Sequence, residues 1–149
     1  MAKNMIYKYE EKNTRVRVLA ATVQSGTPLL DPADARPAVA LTNSGDATKT
    51  VTTADIPIGG GVTTLTYPNP GVGLIGKETT LAYDGTWEFD VVSSGATPAP
   101  TSTVQGDIVY ITSGGALTLA DSGNTLYGHV DYPTDYYKRS GRLPVRIGD

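Results

Sequence analysis

The stretch that decides the fold is residues 105–130, QGDIVYITSGGALTLADSGNTLYGHV. Residues 108–112 form a run of β-branched and aromatic side chains, which favour extended backbone. Residues 113–115, Ser-Gly-Gly, supply a hairpin turn, and residues 121–124, Asp-Ser-Gly-Asn, supply a second turn. The stretch therefore predicts a compact β-meander, and none of its side chains suggests a reagent.

The composition extends this prediction to the whole chain. Its 149 residues fit one domain, and a domain of this size buries roughly two-thirds of its unfolded surface. Gly 17 and Pro 10 favour short strands joined by many turns, so the predicted class is all-β. The absence of cysteine excludes disulfides and thiolate chemistry. Residues 1–20 scatter charge where a secretion signal needs an apolar run, and no window resembles a membrane span, so we expect neither export nor membrane insertion.

Two further segments carry a clear strand pattern. Apolar and charged residues alternate in residues 14–18. This pattern predicts a half-buried strand with Val16 and Val18 on one face and Arg15 and Arg17 exposed on the other. In residues 79–91 the large apolar and aromatic side chains, Leu81, Tyr83, Trp87, Phe89 and Val91, all fall on odd positions. The Asp-Gly pair at 84–85 permits a hairpin or a glycine bulge, and the unbroken alternation favours the bulge.

The ends of the chain and one insertion complete the domain organisation. Residues 1–12 mix charge with apolar residues and predict an arm, and residues 13–149 predict a single β domain. Residues 43–78 read as an inserted excursion in which residues 62–67, VTTLTY, form at least one strand. Leu143, Val145 and Ile147 predict a final strand, which Pro144 places at a sheet edge or with its nitrogen outward. Residues 32–34 are expected to form a single helical turn.

Charge is distributed unevenly along the sequence. Residues 1–17 and 138–149 each carry a net charge of +3, so residues 18–137 carry −9 of the total of −3. Basic ends on an acidic body predict docking to an acidic surface or end-to-body pairing of subunits, although solvated termini would show the same pattern. Nucleic acid is not an expected partner, because phosphate binding needs clustered cations.

Few side chains suggest catalysis or metal binding. His129, the only histidine, shares a predicted strand face with Tyr127 and Asp131, which indicates a surface position. Glu88 and Asp90 also share a face; such pairs can serve glycoside hydrolysis or bind calcium, but a half-buried strand shows a polar face in any case. We therefore expect no enzyme, no metal and no cofactor.

Tyrosine dominates the aromatic residues, with nine against one Phe and one Trp. Tyrosine offers a large contact area and one hydrogen bond, so it is frequent at interfaces, and it also stacks on sugars. The tyrosines of interest are Tyr7 and Tyr9 in the arm, Tyr127 and Tyr132 in a predicted strand, and Tyr136 and Tyr137 in the basic loop near the C-terminus. Both a protein interface and a carbohydrate surface remain open from this pattern.

Several short motifs, in the same order, resemble the head decoration (cement) proteins of tailed bacteriophages. They are the N-terminal Met-Ala-Lys-Asn, Ser-Gly-Thr-Pro at 25–28, Ala-Val-Ala-Leu at 38–41, Gly-Asp-x-Val-Tyr at 106–110, Gly-Asn-Thr-Leu-x-Gly at 123–128 and Leu-x-Val-Arg-Ile at 143–147. Residues 79–81 and 85–91 are also similar to the head-stabilising protein of lambdoid phages. The resemblance covers residues 1–42 and 79–149, whereas the insertion and the loop 133–140 depart from it.

The resemblance implies a small β-barrel or sandwich of β-tulip type and a structural role on the outer surface of the virion. It implies a homotrimer that bridges subunits of the major capsid protein. The residues assigned to a capsid-binding arm and first strand are Lys3, Met5, Ile6, Tyr7, Lys8, Tyr9, Arg15 and Arg17. Those assigned to outer or intersubunit contacts are Tyr132, Tyr136, Tyr137 and Arg139. The alternative is a carbohydrate-binding or host-adhesion module displayed on the virion.

Overall fold

The protein, in a computed structural model, is all-β, as the composition predicts. The structure describes residues 5–7, 13–45, 48–52, 64–68 and 74–148, and in these ranges it has fifteen strands and no helix. The strands are β1 (Met5–Tyr7), β2 (Thr14–Val18), β3 (Pro28–Leu30), β4 (Pro37–Ala40), β5 (Ser44–Gly45), β6 (Thr48–Thr52), β7 (Thr64–Pro68), β8 (Leu74–Ile75), β9 (Glu78–Ala82), β10 (Gly85–Ser94), β11 (Thr97–Pro98), β12 (Ile108–Ile111), β13 (Leu117–Thr118), β14 (Thr125–Val130) and β15 (Arg142–Ile147).

Five strands close into a barrel, in the order β10, β13, β12, β14 and β15. The closing pair is β15 with β10, antiparallel from Gly85 opposite Ile147 to Asp90 opposite Arg142. β10 is long enough to pair with β13 in parallel beyond that point, and also with β1 and β11. Closure leaves these five strands without a long unpaired edge.

The barrel is filled by the inward side chains of its strands. Trp87 and Tyr127 are the largest of these, and the Phe89 ring meets Tyr127 edge-on with centroids 5.9 Å apart. Such aromatic pairs contribute about 1 kcal/mol beyond the burial of their area. The other buried barrel residues are Val91, Ala99, Val109, Ile111, Leu117, Val130, Leu143, Val145 and Ile147.

A second sheet, in the order β2, β9, β4 and β3, packs beside the barrel. Val39 and Ala82 on one of its faces join the barrel core. Leu81 and Tyr83 belong to a smaller cluster on its other face, with Ala38 and Ala40. The hydroxyl of Tyr127 donates to the Ala38 carbonyl at 2.8 Å, so one buried hydrogen bond joins the barrel to the second sheet.

The predicted insertion contains strands, as expected. β6 and β7 pair antiparallel over five residues each, and β5 pairs in parallel with β8. The strand predicted at residues 62–67 is observed as β7, shifted toward the C-terminus. Because β5 and β8 lie side by side, the excursion leaves and rejoins the domain at one place.

The meander prediction is wrong in its strand order. β12 and β13 form the predicted hairpin, but β14 pairs with the opposite edge of β12 and β13 pairs with β10. The turn at 121–124 therefore carries the chain across the barrel end. Sequence alone indicates that turns and strands follow one another, whereas closure of the barrel selects the neighbours.

Residues 79–91 are neither one bulged strand nor a hairpin. β9 belongs to the second sheet and β10 to the barrel, and the chain passes between them at Asp84 and Gly85. Gly85 has a φ of 99°, which glycine adopts readily. The odd side chains are all buried, as predicted, but they fill two different clusters.

The faces of β14 also differ from the prediction. Tyr127 and Val130 are both buried although three positions separate them, and Leu126 is exposed. A register shift between Val109 and Tyr110 on β12 causes this change of face, because a bulge inserts one extra residue opposite it. His129 remains on the outer side and half-buried, as expected.

The final strand is confirmed, but it is not an edge strand. β15 lies between β10 and β14 in the barrel. The Asp131 N–H donates to the Pro144 carbonyl at 2.9 Å, so the proline nitrogen faces a position just beyond the end of β14. A missing donor there removes only a terminal hydrogen bond. Residues 32–34 form one turn, closed by the Ala35 N–H on the Asp31 carbonyl, and do not extend into a helix.

Candidate functional site

The predicted N-terminal arm is partly described. Met5–Tyr7 runs antiparallel to β10, with Met5 opposite Trp87 and Tyr7 opposite Thr86. These residues, with Ile6 between them, therefore add a strand outside the closed set of five. Lys3, Lys8 and Tyr9 lie outside the described residues.

The faces predicted for β2 are wrong for Val16, Val18 and Arg17, whereas Arg15 is exposed, as predicted. Val16 and Val18 are 57% and 66% exposed, whereas the Arg17 side chain is only 25% exposed. Arg15 and Arg17 share the face of Leu81, since their backbones are opposite Leu81 and Thr79 of β9. Val16 and Val18 lie on the same sheet face as Ala82, which joins the barrel core, but neither valine is buried.

A buried carboxylate explains why Arg17 turns inward. Asp31 accepts both contacts of the Arg17 Nε, at 2.9 and 3.0 Å, and further hydrogen bonds from the Tyr83 hydroxyl and the Ala33 N–H. The Arg15 and Arg36 guanidinium carbons lie 5.8 and 4.9 Å from the centre of the Tyr83 ring. These contacts stack cations on an aromatic ring and compensate the buried charge.

The protonation states follow from this geometry. Burial alone would raise the pKa of Asp31, but hydrogen bonds from Tyr83, the Ala33 amide and Arg17 outweigh burial and lower the pKa. Burial and the neighbouring carboxylate raise the pKa of Tyr83 to about 12. Asp31 is therefore ionised and Tyr83 neutral at neutral pH, which suits a structural anchor.

The C-terminal loop 133–140 folds back onto the barrel through Glu88. Arg139 Nη2 and the Tyr136 hydroxyl both donate to Glu88 Oε1, the former at 2.6 Å. Arg142 bridges the two carboxylates, with Nη2 on Glu88 at 3.0 Å and Nη1 on Asp90 at 2.9 Å. Glu88 and Asp90 thus share a face, as predicted, and hold cations of the chain itself.

The charge state of Glu88 fits this anchoring role. Burial would raise its pKa, but hydrogen bonds from Tyr136, Arg142 and Arg139 lower it. Burial and Glu88 raise the pKa of Tyr136 to about 12. The ionised Glu88 carboxylate acts only as a hydrogen-bond acceptor. Its hydrogen bonds from Tyr136 and Arg139 tie the loop to the barrel.

Of the three tyrosines assigned to outer or intersubunit contacts, only Tyr137 is displayed to solvent. The Tyr132 and Tyr136 rings pack together with centroids 5.6 Å apart, and Lys138 Nζ lies 4.2 Å from the Tyr132 ring. The same Nζ donates to the Thr103 carbonyl at 2.8 Å. Tyr137, in contrast, is 81% exposed. The structure therefore brings Tyr132, Tyr136 and Arg139 together and leaves Tyr137 apart.

The sequence did not reveal the Asp31 cluster. Asp31 is 14 positions from Arg17 and 52 from Tyr83, and no local motif links these distances along the chain. The one available signal was an acidic residue next to an apolar strand and a turn. In the part of the chain that the structure describes, no three acidic or histidine side chains are grouped as a metal site would need.

Comparisons with known proteins do not assign this chain to a family. No family model matches it, and no characterised protein or solved structure shows a significant match. Within the described ranges, no helix has the length and hydrophobicity that crossing a membrane requires.

Proposed function

We propose that the protein is a structural component of a phage virion that binds the outer surface of the capsid and stabilises it by bridging subunits of the major capsid protein. The bacteriophage resemblance of the sequence motifs suggests this role, and the all-β fold is compatible with it. Copies of the chain assemble as a trimer in this proposal, because closed symmetry repeats one contact around a local three-fold axis.

The observation that carries the proposal is that the acidic side chains with catalytic potential form ion pairs within their own chain. Glu88 and Asp90, the pair with catalytic potential, are bound to Arg139 and Arg142. Two of the four cations of the C-terminal segment are thereby paired with the acidic body of their own chain. The N-terminal segment, which leads into β2, keeps an exposed cation in Arg15. It is the better candidate for contact with another protein.

Deletion of residues 2–12 tests the proposal. The barrel closes through β10 and β15 without β1, so we expect the shortened protein to remain folded and to lose binding to expanded, empty capsids in cosedimentation. The double variant Tyr136→Ala with Tyr137→Ala is the control, and it should still bind. Saturation at three copies per local three-fold site would support the trimer. Undiminished binding of the shortened protein would contradict the role of the arm.

A second candidate function is binding of carbohydrate on the virion surface. The exposed ring of Tyr137 favours it, because an aromatic face can stack on a sugar. Tyr136 supports it less, since its hydroxyl is held by Glu88. Glycan-array binding that disappears in Tyr137→Ala, with unchanged capsid binding, would favour this candidate over the first.

A further inference from the structure

β2 is the terminal strand of the second sheet. Its pairing with β9 places Arg15 opposite Leu81 and Val16 opposite Thr80. In the strand order of the described residues, no other strand lies on its far side. The outward backbone groups of a terminal strand, here those of Val16 and Val18, can pair with another extended chain.

The direction of these backbone groups follows from the ladder. Leu19 N–H donates to the Lys77 carbonyl, and Tyr83 N–H donates to the Asn13 carbonyl. Hydrogen-bonded pairs alternate along an antiparallel ladder, so the odd-numbered residues of β2 bond to β9. The N–H and C=O groups of Val16 and Val18 therefore point away from β9, toward the open side.

The side chains of β2 indicate which residue types a partner strand should carry. Val16 and Val18 are exposed on one face, and Arg15 is exposed on the other. No carboxylate in the described ranges pairs with Arg15, whereas Arg17 is paired with Asp31. A strand added to this edge brings its side chains opposite those of β2, so it fits best with apolar residues facing the valines and acidic residues facing Arg15.

A second copy of β2 does not meet this requirement. If two copies paired antiparallel through the outward groups of Val16, the even-numbered residues would face one another, and Arg15 would face Arg17 of the other copy. Like charges directly opposite on a ladder are destabilising. The charge pattern therefore selects a different segment over self-pairing.

We propose that the open edge of β2 binds an extended segment with alternating apolar and acidic residues, as an added antiparallel strand. The inference rests on the proposed function only in assigning that segment to the capsid protein. In this proposal the folded domain, in addition to the N-terminal arm, contacts the capsid protein.

The probe is a seven-residue peptide of alternating valine and glutamate with capped ends, and the control peptide has lysine in place of glutamate. Both are added to the full-length protein, and amide hydrogen exchange is followed residue by residue. At an acidic-peptide concentration ten times its Kd, exchange of the Val16 and Val18 amides should slow about tenfold, because protection grows with occupancy. The lysine peptide should leave it unchanged. Equal protection by both peptides, or by neither, overturns the inference.

Two variants test the backbone and the charge separately. Val16→Pro removes an outward N–H donor that the pairing with β9 does not use, so the protein should still fold, which Trp87 fluorescence can verify. In this variant the acidic peptide should no longer slow hydrogen exchange of the Val18 amide. Val16→Thr is the matched control and should keep it. Arg15→Glu should reverse the preference toward the lysine peptide. An unchanged preference in Arg15→Glu, or unchanged protection in folded Val16→Pro, overturns the inference.

Capsid cosedimentation of the same variants separates the two proposals. Peptide binding without capsid binding would overturn the proposed function and leave the edge site supported. Capsid binding without peptide binding would overturn the edge site and leave the proposed function supported. Dissociation of an oligomer into monomers by Val16→Pro, seen in sedimentation velocity, would show that a second copy occupies the edge and would overturn the charge argument.

Discussion

Position 128 of β14 requires glycine because the neighbouring strand β15 leaves no room for a side chain, and not because of its backbone angles. A Cβ at this position would lie 2.3 Å from the Arg146 carbonyl oxygen of β15. No movement of a flexible side chain relieves a contact with backbone. β14 and β15 can lie this close only because residue 128 has no side chain.

Gly128→Ala should therefore destabilise the fold. We expect a loss of about 1–3 kcal/mol in the free energy of unfolding, the usual effect of overpacking. The control is Gly114→Ala, where the nearest atom to a Cβ is Thr112 Oγ1 at 3.8 Å. Urea unfolding followed by Trp87 fluorescence measures both. Equal stability of the two variants would show that β14 and β15 can separate at this point.

Asp31 is the residue whose protonation should matter most for stability. Its pKa is lowered in the folded protein, so the stabilisation it provides is complete above the pKa of an unfolded aspartate, about 3.9, and is lost as pH falls through the lower folded value.

Asp31→Asn should cost on the order of 2 kcal/mol at pH 7, because a buried carboxylate with charged and neutral donors is replaced by an amide. The difference in unfolding free energy between wild type and variant should shrink as pH is lowered from 5 to about 2. Asp34→Asn, on the exposed part of the same turn, is the control. A difference that stays constant over this range would contradict the assigned ionisation.

At the scale of elements, the loop 133–140 depends on β10. Glu88 accepts hydrogen bonds from Tyr136, Arg139 and Arg142, whereas the Asp90 side chain is 85% exposed and, within the described ranges, pairs only with Arg142. Exposed ion pairs contribute little to stability, so Glu88 should hold the loop more strongly than Asp90 does.

Glu88→Gln should loosen this loop. The lost charge assistance should raise the rate of trypsin cleavage after Lys138 and Arg139 roughly tenfold, because about 1.4 kcal/mol changes the population of an open loop by that factor. Asp90→Asn should change it less than twofold by the same reasoning. Mass spectrometry of the fragments identifies the bonds cleaved. Equal rates in the two variants would argue that other contacts hold the loop.

At the scale of the whole molecule, the barrel and the second sheet share one core. Val39 and Ala82 of the second sheet are fully buried in the barrel cluster, and Tyr127 donates across to the Ala38 carbonyl. Burial raises the pKa of Tyr127 well above its ordinary value, so its hydroxyl keeps its proton as a donor. The two sheets should therefore unfold together.

Tyr127→Phe should lower the free energy of unfolding by about 1–2 kcal/mol, since the Ala38 carbonyl loses its buried donor. The transition should remain single, with coincident midpoints for Trp87 fluorescence and far-ultraviolet circular dichroism. Tyr137→Phe, on an exposed side chain, should have no measurable effect. Two separated transitions in the variant would show that this hydrogen bond, and not the shared apolar core, couples the sheets.

The amino-acid sequence alone determined the class and most of the strands. Alternation and turn residues identified β2, the buried positions of 79–91, the β12–β13 hairpin and β15, because these patterns depend on neighbours within a few residues. The shared face of Glu88 and Asp90 followed from the same local rule.

Only the tertiary structure decided which strands pair and which faces are inside. Barrel closure placed β14 beyond β12 and enclosed β15, and the buried Asp31 drew Arg17 of β2 inward while Val16 and Val18 stayed exposed. Both effects join residues far apart along the chain, such as Asp31 and Tyr83, so no local pattern records them. The edge site rests on Val16 and Val18, whose exposure the alternating sequence did not predict, because contacts distant along the chain decide which face of a strand is covered.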